Sequence, residues 1–234
     1  MFEQLHGTRA VLTDPSTKAL FDYWNALRNG RAAPIRREVD PVALRTILPR
    51  IFMLEMVDAN HAIFRIAGTA LCAAFGREFR DHNFVELWDR ESRRDVLTLV
   101  QRVVERCEVG LIDAEAATLD RTVIKGEFLL LPLSDVNGHR TRLIGVAGCG
   151  ERLERLGWRK LVRLSAKSTV AVDPAATAVA FRGEDNERPT PAMRPPLAIV
   201  KPTSLSQKGA TPPMRPVAVN PWRERLRLLL QLDE

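Results

Sequence analysis

Four histidines, three cysteines and one glycine-rich run are the residues of this 234-residue chain from which chemistry could be built. Cys72, Cys107 and Cys149 are odd in number, widely spaced and set in apolar contexts. They read as reduced core thiols rather than a disulfide frame or a zinc site. No His-x-x-x-His or Cys-x-x-Cys pair occurs, so no metal site is expected. No Gly-x-Ser-x-Gly occurs, so there is no nucleophile elbow. Gly145-Val146-Ala147-Gly148-Cys149-Gly150 is glycine-rich, but it falls in a predicted strand and lacks the lysine of a phosphate loop. Gly76-Arg77-Glu78-Phe79-Arg80 places two arginines near a helix end. That could clamp an anion, although a solvated loop with Arg77 beside Glu78 explains the same residues. His82 lies in a polar loop and is expected to be exposed or hydrogen-bonded. The search for catalytic residues therefore ends with none.

The elements that would position these residues follow an unbroken order from Ile51 to Gly150. Ile51–Val57 and His61–Ala67 are apolar runs around Asp58-Ala59-Asn60, which predicts a hairpin, with Phe64 and Ile66 alternating with Arg65. Gly68-Thr69 breaks the second strand, and Thr69 caps a short helix over Ala70–Phe75 closed by Gly76. Trp88 precedes a long helix. Val96, Leu99, Val100, Val103 and Val104 recur at helical spacing over Arg90–Cys107, with Asp89 as its cap. Leu111–Leu119, Val123–Leu133 and Arg142–Gly148 are predicted strands, the last two joined by a turn at Asn137-Gly138. Together these predict an α+β domain with one antiparallel sheet over 51–150, covered on one face by the helices of 69–107.

Outside that order, Asp14-Pro15 starts an N-terminal helix with Leu20, Tyr23, Trp24 and Leu27 on one stripe. Such a stripe needs a partner surface, which a second copy or the chain's own sheet would supply. Residues 1–50 are thus a helical extension, with a second short helix from Asp40-Pro41. Residues 151–172 are expected to be a short helical extension, from Leu153, Leu156, Leu161 and Leu164. Residues 173–220 hold most of the chain's prolines and are expected to be a disordered linker. At 221–234, Trp222, Leu226, Leu229 and Leu230 share one face of a short amphipathic helix, the candidate partner-docking element.

Charge follows the same division. Residues 1–150 carry 20 Lys+Arg and 20 Asp+Glu, whereas residues 151–234 carry 15 and 9. The basic excess belongs to the tail, so a basic domain face for nucleic acid is not expected. No apolar run approaches the roughly 20 residues that span a bilayer, and Met1–His6 lacks the pattern of a signal peptide. A cytoplasmic location is expected.

The composite of Tyr23-Trp24-Asn25-Ala26-Leu27-Arg28, Gly30-Arg31-Ala32-Ala33-Pro34, Asp40-Pro41, Leu48-Pro49, Phe64-Arg65-Ile66-Ala67-Gly68-Thr69, Gly76-Arg77-Glu78 and Phe84-Val85-Glu86-Leu87-Trp88 resembles the PAS-like domain family common in alphaproteobacteria. The resemblance covers about residues 14–150. It implies a five-stranded antiparallel sheet with helices on one face, and a small-molecule pocket or a partner surface. Phe64, Ile66, Phe75, Trp88, Leu99, Val103 and Leu131 are the candidate pocket residues. Flavin-binding PAS domains share an Asn-Cys-Arg-Phe segment that His82-Asn83-Phe84-Val85 lacks. Haem PAS domains use a histidine on the long helix, and Arg90–Cys107 has none. No chromophore is expected, and the ligand stays unidentified. The resemblance implies a non-enzymatic sensor or adaptor in bacterial signalling, able to dimerise and to dock on a signalling protein or polar complex. The alternatives are a small-molecule-binding enzyme of unrecognised type, or a scaffold held at a membrane surface by 222–232, where Arg223, Arg225 and Arg227 oppose leucines.

Overall fold

The computed structural model describes residues 11–149, 160–174 and 180–181. The elements in order are β1 (Val11–Leu12), α1 (Pro15–Arg28), β2 (Ile51–Asp58), β3 (His61–Ala67), α2 (Thr69–Phe75), α3 (Arg93–Arg106), β4 (Val109–Thr118), β5 (Val123–Leu133), β6 (Arg142–Gly148), β7 (Leu161–Val172) and β8 (Ala180–Phe181). Short 3-10 turns at 36–38, 48–50 and 84–87 join them. The strands of the main sheet run in the order β3-β2-β6-β5-β4-β7, all neighbours antiparallel. β1 and β8 form a separate parallel pair.

This sheet has six strands, one more than the five expected, because Leu161–Val172 is a strand and not part of a helical extension. The reason is two bulges. Thr118 pairs with Leu161 and Ala117 with Arg163, leaving Val162 extra; Asp113 pairs with Ser168 and Ala114 with Ala166, leaving Lys167 extra. An extra residue resets which face the next side chain meets. Leu161 and Leu164 therefore both join the same buried cluster despite their helix-like spacing. The expected disordered linker also requires correction at its start, since Ala180–Phe181 returns to pair with β1. The docking element at 221–234 and the rest of the linker lie outside the described residues.

Both faces of the sheet are covered, not one. On the inner face α2, the 84–87 turn and α3 bury Phe52, Phe64, Phe84, Trp88, Leu99, Val103 and Phe128. The α3 stripe of Val96, Leu99, Val100, Val103 and Val104 is buried. That helix starts at Arg93 with Ser92 at the N-cap, and Asp89 accepts a bond from the Ser92 N–H at 2.8 Å.

On the outer face α1 lays Leu20 and Trp24 against Ile51, Met53, Leu129, Leu131, Ile144 and Val146. The indole N–H of Trp24 donates to the Pro132 carbonyl at 2.8 Å. Asp14 caps α1 by accepting from the Ser16 N–H, as the Asp14-Pro15 pair predicts. The apolar stripe thus folds back onto its own sheet. Residues 41–47 form turns rather than a second helix, although Leu44 and Ile47 are buried as expected.

Candidate functional site

β2 and β3 supply the wall of the inner face through one irregularity. Leu54 pairs with Phe64 and Met53 with Ile66, so Arg65 is the extra residue of a bulge. Without the bulge Phe64 and Ile66 would share a face. With it, Phe64 enters the inner cluster and Ile66 the outer one. Arg65 turns outward and pairs with Glu55 at 2.5 Å and Asp81 at 2.9 Å.

The inner face is a continuous aromatic cluster. Phe52 stacks on Phe84 with ring centroids 5.6 Å apart, and Phe64 on Phe79 at 5.0 Å. Trp88 meets Phe84 edge-on at 5.7 Å and Phe128 at 5.3 Å. Such edge contacts contribute about 0.5–1.5 kcal/mol each beyond the area buried. Gly145 makes room for this packing: a Cβ there would lie 2.3 Å from the Phe52 ring. Trp88 is only 1% exposed, and its indole N–H has no hydrogen-bond partner among the described residues.

Beside this cluster is an apolar cavity of about 30 Å³. Leu71 and Phe75 of α2, Ile124 and Phe128 of β5, and Leu161 and Leu164 of β7 line it. Phe128 links it to Trp88 by ring contact, and Leu164 links to Trp88 by a backbone bridge. Two hydrogen bonds fix this junction: the Asp89 N–H donates to the Leu164 carbonyl at 2.8 Å, and the Ser165 hydroxyl donates to the Asp89 carboxylate at 2.5 Å.

Of the seven candidate pocket residues, the structure brings Phe64, Phe75, Trp88, Leu99 and Val103 to the inner face. Ile66 and Leu131 are corrections, because both lie in the outer cluster under α1. Leu131 was misleading because β5 is buried on both sides, and Phe128-Leu129-Leu130-Leu131 then shows no alternation. Sequence reasoning missed Leu71, Ile124, Phe128 and the β7 leucines as cavity residues. The signal for β7 was hidden by its bulges, while Ile124 and Phe128 were already on a predicted strand.

The other chemical candidates separate widely. His82 is exposed, and its backbone accepts from the Phe64 N–H at 3.0 Å, so the loop serves the β3 edge. Arg77 lies over the Phe79 ring at 5.0 Å, and Arg80 stands 3.8 Å from Asp81, which is the arrangement of a solvated loop. Cys72 is buried beside Glu78; burial, then that carboxylate, push its thiol up to about 11. Among the described residues, no group of three or more His, Cys, Asp or Glu side chains could hold a metal. No helix among them is long and apolar enough to cross a membrane.

The sequence matches the profile of a family described as a PAS domain over residues 12–147. No curated protein sequence matches the chain. Among solved structures, VqmA bound to DPO is similar at 16% identity and a TM-score of 0.35, over 46% of this chain and 55% of that one. The Vibrio cholerae VqmA dimer in the absence of target DNA has the same identity and score, over 46% of this chain and 50% of that one. The blue-light photoreceptor Aureochrome1 LOV domain is similar at 15% identity and a TM-score of 0.31, over 49% of this chain and 91% of that one. The chain spans about half the length of the VqmA chains it matches.

Proposed function

The chain belongs to the PAS domain family, and from that premise we propose that it is a non-enzymatic sensory or adaptor module of bacterial signalling, of the alphaproteobacterial type it resembles and cytoplasmic. Fold alone does not assign function; the observation that carries the proposal is on the inner face. A buried indole N–H without an acceptor among the described residues, that of Trp88, stands one ring from an apolar cavity. A buried donor left unpaired costs about 1–3 kcal/mol. A ligand oxygen that entered past Phe128 would recover that cost, while the ligand's apolar part met Leu71, Phe75 and Leu161.

The size of the cavity narrows the ligand. Its volume of about 30 Å³ is about two to three times the space that one water needs. The effector is therefore a molecule of a few heavy atoms, or one that enters as Phe75 and the β7 leucines yield. A haem or flavin would have to displace Phe84, Trp88 and Phe128, all packed in the cluster. The output is docking through 221–234, with Trp222, Leu226, Leu229 and Leu230 as apolar anchors and Arg223, Arg225 and Arg227 as steering charges. The partner is a signalling protein or polar complex, and the module pairs with a second copy.

Thermal melting of the full chain with a panel of small polar-apolar molecules tests this. A ligand that binds only the folded state raises Tm with concentration. The proposal expects such a rise for a small oxygen-bearing molecule, and its loss in Trp88→Phe, which keeps a ring and removes the N–H. An equal rise in both proteins would remove Trp88 from the site.

A further inference from the structure

The walls of the small inner cavity are held in two different ways. The β7 wall is fixed. It pairs with β4 along its length, and residues 164–166 are tied to the run before α3. Besides the two bonds of that junction given above, the Ala166 N–H donates to the Ser92 hydroxyl oxygen at 2.9 Å. The α2 wall, with Leu71 and Phe75, is fixed at one end only. At its start Gly68 is wedged against backbone: its N–H donates to the Ile51 carbonyl at 2.7 Å, and a Cβ there would lie 2.2 Å from the Pro49 oxygen. Its last turn reaches the surface, where Ala73 and Gly76 are exposed and Phe75 is half-buried. That turn meets β7 through Lys160, the residue before the strand. The Lys160 stem lies across Gly76, its carbons 3.4 Å from where a β-carbon would stand. Its ammonium donates to the Ala73 carbonyl at 2.8 Å, an oxygen that also takes the Gly76 N–H at 3.2 Å. A cation on the carbonyls of a last helical turn is favourable, and near the surface such a bond is made and broken at small cost.

We propose that the last turn of α2 is the lid of the inner cavity and Lys160 its latch, so that a small effector enters between Phe75 and Leu161 when that bond opens. The lid rests on the reading of this cavity as the effector site. Both sides of the entry are apolar and both residues line the cavity. The hinge is the wedged Gly68 end, and the moving part is the turn that carries Phe75. The cavity exists with the latch shut, so the bond is present in the empty and the filled state alike. A ligand shifts an equilibrium only through a difference in affinity between states. The latch therefore governs how fast an effector enters and leaves, and not how tightly it is held.

Methyl NMR of the full chain titrated with xenon tests this, since xenon is small, apolar and enters dry cavities. Shifts of the Leu71, Ile124 and Leu161 methyls read its affinity, and relaxation dispersion at the same methyls reads its rate of exchange. Lys160→Met keeps the stem over Gly76 and removes the ammonium. It should raise the entry and exit rates together, by about three- to tenfold, and leave the affinity unchanged. Lys160→Arg, which keeps a donor, should stay near the wild-type rates. Phe75→Leu thins the lid itself and should speed entry without touching Lys160. Ser168→Ala removes a β7 hydrogen bond on the outer face and should change neither rate. Rates that stay at the wild-type values in Lys160→Met would overturn the lid. An equal acceleration in Ser168→Ala would overturn it too, by showing general loosening of β7. Xenon that shifts no methyl in the wild type would remove the cavity reading and the lid with it, whereas bound xenon with unmoved rates removes the lid alone.

Discussion

Glu127 is a buried carboxylate held, among the described residues, by backbone and hydroxyl donors, and it fastens the start of α1 to the middle of β5. Removing one partner from a buried hydrogen bond leaves the others with the desolvation cost. Glu127→Ala strands the Thr13 and Asp14 N–H groups, while the Thr17 hydroxyl keeps the Asp14 carbonyl as acceptor, and urea unfolding should show a loss of about 2–4 kcal/mol. Glu127→Gln keeps part of the acceptor set and should lose less. Cys72 makes the opposite kind of case. With a pKa of about 11, about one molecule in a thousand is thiolate at pH 8. A thiol-specific disulfide reagent at pH 8 should titrate Cys72 only after unfolding. The folded thiol holds its proton longer than the unfolded one. Its contribution to stability is therefore present below the ordinary thiol value of about 8.5 and is lost as pH rises toward about 11. Fast modification in the native protein would contradict its burial.

At the scale of elements, most of the sheet was legible because its strands end at recognisable turns. Ile51–Val57 and His61–Ala67 were expected and observed almost to the residue, and the α3 stripe needed only a later start. What stayed hidden was where a bulge resets the alternation. Arg65 in β3 sends Phe64 and Ile66 to opposite faces, and Val162 and Lys167 disguise β7 as something helical. A bulge leaves no fixed mark on residue type, so the pocket membership of Ile66 could not be read from spacing. The second cover of the sheet was half legible, since the Leu20–Trp24 stripe demanded a surface without naming it. Trp24→Ala should cost about 3–5 kcal/mol in equilibrium unfolding, and a monomer of unchanged stability would contradict the packing of α1. The β7 junction has its own pH signature. Burial raises the Asp89 carboxyl, but hydrogen bonds from Ser165 and Ser92 outweigh this and hold it below the ordinary carboxylate value. Its contribution is present above about pH 4 and is lost as pH falls further. Asp89→Asn should flatten the acid limb of the stability curve in that window.

The whole molecule places two different surfaces on one sheet. The inner face carries the aromatic cluster, its small cavity and the buried Trp88 N–H, which has no partner among the described residues, and the outer face carries α1. β5 belongs to both, with Ile124 and Phe128 lining the inner cavity and Glu127 holding α1 on the other side. A ligand that shifts those inner residues acts on the same strand that anchors the outer cover. The central claim is that the inner face receives a small effector and no large cofactor. Native mass spectrometry of the full chain purified from its own host tests it most directly. The account predicts a retained mass of a few heavy atoms that disappears in Ala116→Val, where the added methyl groups fill the cavity lined by Ala116. A retained haem or flavin mass, or a small adduct equally present in Ala116→Val, would contradict it.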